Sequence, residues 1–188
     1  MSLSDYIKKR NFEKTPEPTG GKTKRGGLVF VIQKHDATTL HYDFRLELGD
    51  ALKSWVVPKG PSMDPAVRRM AIETEDHALA YSRFEGTIPQ DRYGAGRVII
   101  WDEGVWIPEG DPLAGYRNGH LAFTLKGGKM RGRWALIRMQ TRRHEKHPPW
   151  LLIKMRDSHA HDEAHDPGTG QRPGMVLSGH SPRIQYGG

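Results

Sequence analysis

The segment Leu40-His41-Tyr42-Asp43-Phe44-Arg45-Leu46-Glu47-Leu48 alternates apolar and polar residues without a break. Strand side chains change face with period two, so Leu40, Tyr42, Phe44, Leu46 and Leu48 share one face. His41, Asp43, Arg45 and Glu47 share the other. A helix would scatter both sets around its axis, so the pattern specifies a strand with an apolar face on a core. In a generic half-buried strand the opposite face is solvated and carries Lys, Thr or Glu. Here three successive polar positions supply an imidazole, a carboxylate and a guanidinium, which is a chemical set and not a solubility set.

The rest of the central chain repeats the strand signal. Leu28–Gln33, Leu52–Val57, Arg68–Glu73, Arg97–Trp101, Leu121–Leu125, Arg133–Met139 and Trp150–Met155 are short runs rich in β-branched or aromatic residues. Each is bounded by Gly, Pro, Asp or Asn. Only Leu3–Arg10 carries a clear helical signal, with Asp5 near its start and basic residues at its end. The expected fold class is all-β, mainly antiparallel: a compact β-barrel with a short N-terminal helix and flexible basic or polar tails. Three parts follow: a basic arm with the helix over 1–27, the barrel over 28–157, and a Gly-, Pro- and His-rich tail or linker over 158–188.

Composition limits the function classes. Lys and Arg outnumber Asp and Glu by 29 to 22, a formal net charge of +7, which favours an anionic partner such as nucleic acid. The absence of cysteine excludes disulfides, thiolate metal sites and thiol nucleophiles. No segment has the ~18 consecutive apolar residues of a membrane span, and the N-terminus has no apolar signal region, so a cytoplasmic, nucleoid-associated protein without membrane contact is expected, and a monomer is the expected state.

His41 and Asp43 lie roughly 6–7 Å apart along a strand and can converge on one cation. His35 lies just upstream, and a short turn through Ala37-Thr38-Thr39 would return the chain beside it. Two His and one Asp suit manganese, iron, cobalt or zinc with positions left open for water or substrate. Arg45, next on the same face, would clamp an anion bound there. His77 follows a strand and suits a general acid or a group that binds a nonbridging phosphate oxygen; Tyr81 suits core packing equally well. Lys59, Arg68 and Arg69, taken singly, read as solvated basic surface. His144 with His147, and His159 with His161 and His165, read as solvated residues of a loop and a tail rather than as metal sites.

Four segments in order, HDATTLHYDFRLE, LKSWVVPKGP, ETEDHALAYSRFEGTIP and RYGAGRVIIWDEGVW, resemble the 3′-phosphoesterase module of bacterial DNA ligase D and its stand-alone relatives. The likeness runs from about Tyr6 to Asp157. It implies a compact barrel that removes a 3′-terminal ribonucleoside and then the 3′-phosphate, usually with Mn2+, during repair by end joining; Co2+ or Zn2+ would suit the same ligands. On this resemblance His35, His41 and Asp43 bind the metal, Arg45 binds phosphate, and His77 and Tyr81 complete the active site. Lys59 and Arg69 support phosphate binding, and Gln33 stands behind the metal ligands. Arg10 and Glu17 match positions of the family's arm, whereas Asn11 stands where the family has Asp. The implied partners are primer-template 3′ ends with a terminal ribonucleotide, and ligase and polymerase modules of the same or a separate chain.

The rival reading is a non-catalytic barrel that binds nucleic-acid ends, for which Trp55, Trp101 and Trp106 would be exposed stacking platforms. Their expected place is nevertheless the barrel core. A pure binder would tolerate loss of the inward polar set His35, His41, Asp43 and Arg45; an enzyme would not. The cations Lys22, Lys24 and Arg25 are expected to strengthen nucleic-acid binding in a salt-dependent way.

Overall fold

A computed structural model describes residues 3–18, 27–140 and 148–162. Lys22, Lys24, Arg25, His144, His147 and His165, and the tail from residue 163 onward, lie outside the described residues. After helix α1 (Leu3–Lys8) come strands β1 (Val29–Asp36), β2 (Leu40–Leu48), β3 (Ala51–Val57) and β4 (Arg68–Glu73). A 3-10 helix (Leu79–Arg83) precedes β5 (Gly86–Ile88) and the long β6 (Gly96–Pro108). Helix α2 (Pro112–Asn118), β7 (His120–Gly127), β8 (Arg131–Arg138) and β9 (Trp150–Lys154) complete the order.

All pairings are antiparallel, in the order β1-β2-β3-β4-β9-β8-β7-β6-β5. β1 also pairs with β6, which closes eight strands into a barrel and leaves β5 as an extension on β6. Closure removes the exposed edges that an open sheet of this size would carry.

The barrel interior is apolar. Phe30 and Ile32 of β1, Phe44 and Leu46 of β2, Trp55 and Val57 of β3, and Trp106, Phe123, Trp134 and Trp150 from the far side form one cluster. Trp55 and Trp106 are 0% and 1% exposed, so neither offers a ring for base stacking, and Trp101 is half-buried against the same cluster.

The sequence expectation that the polar set faces inward is corrected here. Phe44 and Leu46 occupy the interior, so Asp43 and Arg45, one residue out of phase, stand on the outer face of the sheet. That face is not in water. Tyr6 of α1, Val29, Leu52, Ala78, Tyr81, Phe84, Ile88 and Val98 form a second cluster over it. The arm and the 75–88 segment therefore roof the polar set, and β2 is buried on both sides.

Two further differences have local causes. β6 extends past the expected Arg97–Trp101 because a bulge lies within it: Ile32 pairs with Asp102 but Gln33 with Ile100, leaving Trp101 extra. The extra residue reverses the parity, so Val98 joins the outer cluster while Trp106 enters the interior. A second helix, α2, also appears where only one was expected. Its signals are a side-chain cap from Asp111 to the backbone N–H groups of Leu113 and Ala114, Pro112 in the first turn, and Gly119 at φ 76° closing it.

Candidate active site

The β1–β2 hairpin sets the register of the site. His35 pairs directly with His41, and Gln33 with Asp43. Directly opposed side chains on one sheet face lie within contact distance, so the tight turn through 37–39 brings both imidazoles to one carboxylate. His35 Nδ1 is 3.5 Å from Asp43 Oδ2 and His41 Nε2 is 3.9 Å from Asp43 Oδ1. Each residue offers one ligand atom, and these atoms lie within 4.8 Å of one another. The turn is held from below by Gly96 of β6, at φ 139°, where a Cβ would stand 2.4 Å from the Asp36 carbonyl oxygen. Only glycine allows that approach.

The donor set fits a divalent cation. His41 Nδ1 lies 2.8 Å from the Thr39 carbonyl oxygen, which only accepts, so this nitrogen carries the proton and Nε2 keeps its lone pair. His35 Nε2 is buried with no hydrogen-bond partner among the described residues. Burial would raise the Asp43 carboxyl, but Arg45 and the two imidazoles hold it well below the usual carboxylate range, so it is ionised.

From Asp43 a row of buried polar groups runs under the roof. Arg45 Nη2 is 3.2 Å from Asp43 Oδ2, its Nε donates to Gln33 Oε1 at 2.8 Å, and its Nη1 donates to Ser54 Oγ at 2.8 Å. The guanidinium carbon sits 4.8 Å from the centre of the Tyr81 ring. Tyr81 thus presents an aromatic face to Arg45, with burial pushing its phenol far up. Gln33 in turn donates to the carbonyl oxygens of Tyr81 and Phe84 at 3.0 and 2.9 Å. Its role is to tie the roof to Arg45.

His77 stands between two guanidiniums. Nδ1 lies 2.9 Å from the Glu75 carbonyl oxygen and 3.0 Å from Arg45 Nη1, and Nε2 lies 3.4 Å from Arg10 Nη2. A proton on Nδ1 satisfies Glu75 and leaves Nε2 to accept from Arg10; a proton on Nε2 satisfies Arg45 alone. The first arrangement wins by count. A second proton would oppose both guanidiniums, and this repulsion adds to burial in holding the imidazole well below its ordinary value. His77 is neutral.

Arg10 brings the arm into the site. Its Nε donates to Glu17 Oε1 at 2.6 Å and its Nη1 to Glu75 Oε1 at 3.1 Å, and its guanidinium covers the Tyr6 ring at 4.0 Å. Glu17 also accepts from Thr15 Oγ1 at 2.8 Å, and Tyr6 donates to the Pro18 carbonyl oxygen at 2.7 Å. Asn11 accepts the backbone N–H of Glu13 at 3.1 Å, an arm-turning role that needs no charge. Glu75 supplies a further carboxylate to Arg10.

Glu75 and Ser54 carry this network, although the sequence alone did not single them out. Ser54 lies opposite Arg45 in the β2–β3 register, and this pairing was the available signal. Lys59 is exposed in the turn after β3, at the His41 end of the hairpin, and Arg69 is half-buried on β4, two strands from Asp43. The structure therefore joins His35, His41, Asp43, Arg45, Gln33, His77, Tyr81, Arg10 and Glu17 in one row through the contacts given above.

The class that fold and site define together is an antiparallel barrel with a His–His–Asp donor set beside a buried cationic row. Residues 33–138 match the DNA Ligase D 3′-phosphoesterase domain, and the chain belongs to that family. It is 51% identical over 179 residues to the "Multifunctional non-homologous end joining protein LigD" of Pseudomonas aeruginosa, covering 94% of this chain and 21% of that one. It is 45% identical over 160 residues to the "Multifunctional non-homologous end joining DNA repair protein LigD" of Mycobacterium tuberculosis, covering 82% and 20%. The chain thus spans about a fifth of the length of these relatives.

Proposed function

We propose that the protein is a metal-dependent phosphoesterase that heals nucleic-acid 3′ ends, removing a terminal ribonucleoside and then the 3′-phosphate to leave a hydroxyl for end joining. The observation that carries this reading is the direct link from the donor set to Arg45 and His77 through Asp43. Mn2+ on His35, His41 and Asp43 would supply charge neutralisation and an activated water, and Co2+ or Zn2+ suit the same ligands.

The charges of the network support anion binding. Asp43, Glu17 and Glu75 are matched by Arg45, Arg10 and Lys9, so a dication would leave the site net positive and ready for phosphate. Arg45 holds a phosphate oxygen from a position fixed by Gln33 and Ser54, so little reorganisation is needed as charge develops. Neutral His77, its Nδ1 proton held on the Glu75 carbonyl oxygen, offers the Nε2 lone pair to a hydroxyl proton at the reacting phosphate once Arg10 turns toward the same anion. Lys59 and Arg69 add positive charge at the His41 end, and contacts to a 2′-hydroxyl would give preference for a terminal ribose.

The test is a labelled primer with one 3′-terminal ribonucleotide on a longer template, incubated with and without manganese. Shortening to a 3′-phosphate end and then a 3′-hydroxyl end, both blocked by EDTA, is the expected result. An unprocessed primer with every first-row dication, despite binding, would overturn the reading in favour of a non-catalytic end-binding barrel.

A further inference from the structure

A cleft of about 340 Å³ opens between the N-terminal arm and the loop that enters β6, bordered by Lys8, Lys9, Arg10, Arg92 and Tyr93. The Tyr93 ring is 53% exposed, in contrast to the buried tryptophans. Lys9 Nζ stands 4.8 Å from its centre and the Arg10 guanidinium 5.5 Å. Arg92 pairs through Nη2 with Asp91 at 2.8 Å, while its Nε is buried with no hydrogen-bond partner among the described residues. The other carboxylate in the wall, Glu17, is engaged by Arg10. An exposed ring among cations, with a buried donor left over, is the chemistry of a stacking platform lined for phosphate.

The cleft is continuous with the row beneath the roof. Arg10 belongs to both, since its other nitrogen faces His77 Nε2. Tyr93 precedes Gly96 by three residues, a span of at most about 10 Å, and Gly96 packs on Asp36, the neighbour of His35.

We infer that this cleft is the subsite for the nucleotide on the 5′ side of the scissile phosphate, with Tyr93 stacking its base and Lys8 and Arg92 receiving its phosphate. The inference rests on the end-processing reading. It assigns the 5′ side because a departing terminal nucleoside carries no further phosphate, whereas the retained strand has one for these cations to meet.

The test uses the full chain and a primer with a 3′-terminal ribonucleotide, either intact or with an abasic penultimate residue. For the unaltered protein the abasic residue raises KM roughly 5- to 50-fold with kcat little changed. Tyr93→Ala raises KM on the intact primer by a similar factor and makes it insensitive to the abasic change; Tyr93→Phe restores both. Arg92→Gln lowers the salt dependence of KM by about one ion. A purely structural effect of Tyr93 would leave the abasic penalty in place. Persistence of that penalty in Tyr93→Ala, or its absence in the unaltered protein, overturns the subsite. Failure of the unaltered protein to process any primer is a separate result and overturns the end-processing reading instead.

Discussion

Gln33 and Arg45 form one unit: the amide oxygen accepts from Arg45 Nε at 2.8 Å while the amide nitrogen holds the carbonyl oxygens of Tyr81 and Phe84. Gln33 is wholly buried, so each of these groups has lost its water. The side chain aligns the arginine with Asp43 and also fastens the segment that covers it.

Replacing Gln33 by Met keeps the volume and orphans an arginine nitrogen and two carbonyls. A loss of about 2–4 kcal/mol in unfolding free energy is expected, from ~1–3 kcal/mol for each buried group left unpaired and partial relaxation. The measurement is a urea titration, with kcat on the 3′-end substrate falling in the same variant. A variant as stable and active as the parent would mean that Arg45 is held by Ser54 and Asp43 alone.

Metal binding is read without activity. Manganese is expected to raise the melting temperature of the unaltered protein and EDTA to reverse it, since a ligand of the folded state at ~100 Kd adds about 2.7 kcal/mol. Asp43→Asn and His41→Ala should keep the barrel's far-UV circular dichroism, lose the shift and lose both esterase steps. A full shift in both variants places the cation elsewhere.

The neutral state of His77 predicts a pH dependence with a definite sign. Its folded value is depressed, so the unfolded chain takes up a proton that the folded chain refuses. The stabilisation is complete above the unfolded value of about 6.5 and is lost as pH falls below it toward the folded value. Melting temperature should therefore drop between pH 7 and pH 5, and His77→Gln should flatten that part of the profile. Equal slopes in the two proteins would show that other groups control it.

The arm is docked by charge. Glu17 and the Arg10 side chain are almost fully buried, so Glu17→Ala leaves the guanidinium with Glu75 as its remaining carboxylate. A loss on the order of 3 kcal/mol is expected, as for other broken buried pairs, with proteolysis beginning within residues 3–18 and activity falling because Arg10 no longer faces His77. Resistance of the arm equal to that of the parent would show that Tyr6 packing alone holds it.

Much of this protein was readable from its residues. Strands β2 and β4 fall on their expected bounds because period-two alternation and Gly or Pro boundaries are local properties. That His35, His41 and Asp43 come together as a group that could hold a metal ion was readable for the same reason: a hairpin is a local structure, and its register follows from its turn. Even α2 was written in Asp111-Pro112 and Gly119, though its few residues hid it.

What only the tertiary structure decided depends on contacts between distant segments. That the face holding Asp43 and Arg45 is covered as well could not follow from alternation, because period two puts the apolar face on the core without saying what lies over the polar one. The enclosure comes from Tyr6 and Phe84, far apart in the chain, meeting over β1–β3. The charge state of His77 likewise depends on Arg10 and Arg45 arriving from opposite sides, and the parity reversal at Trp101 on the partner strand β1. Local pattern determined the strands and the residue types gathered on the β1–β2 hairpin; burial, and with it the electrostatics of the site, arose only where the arm covers the barrel.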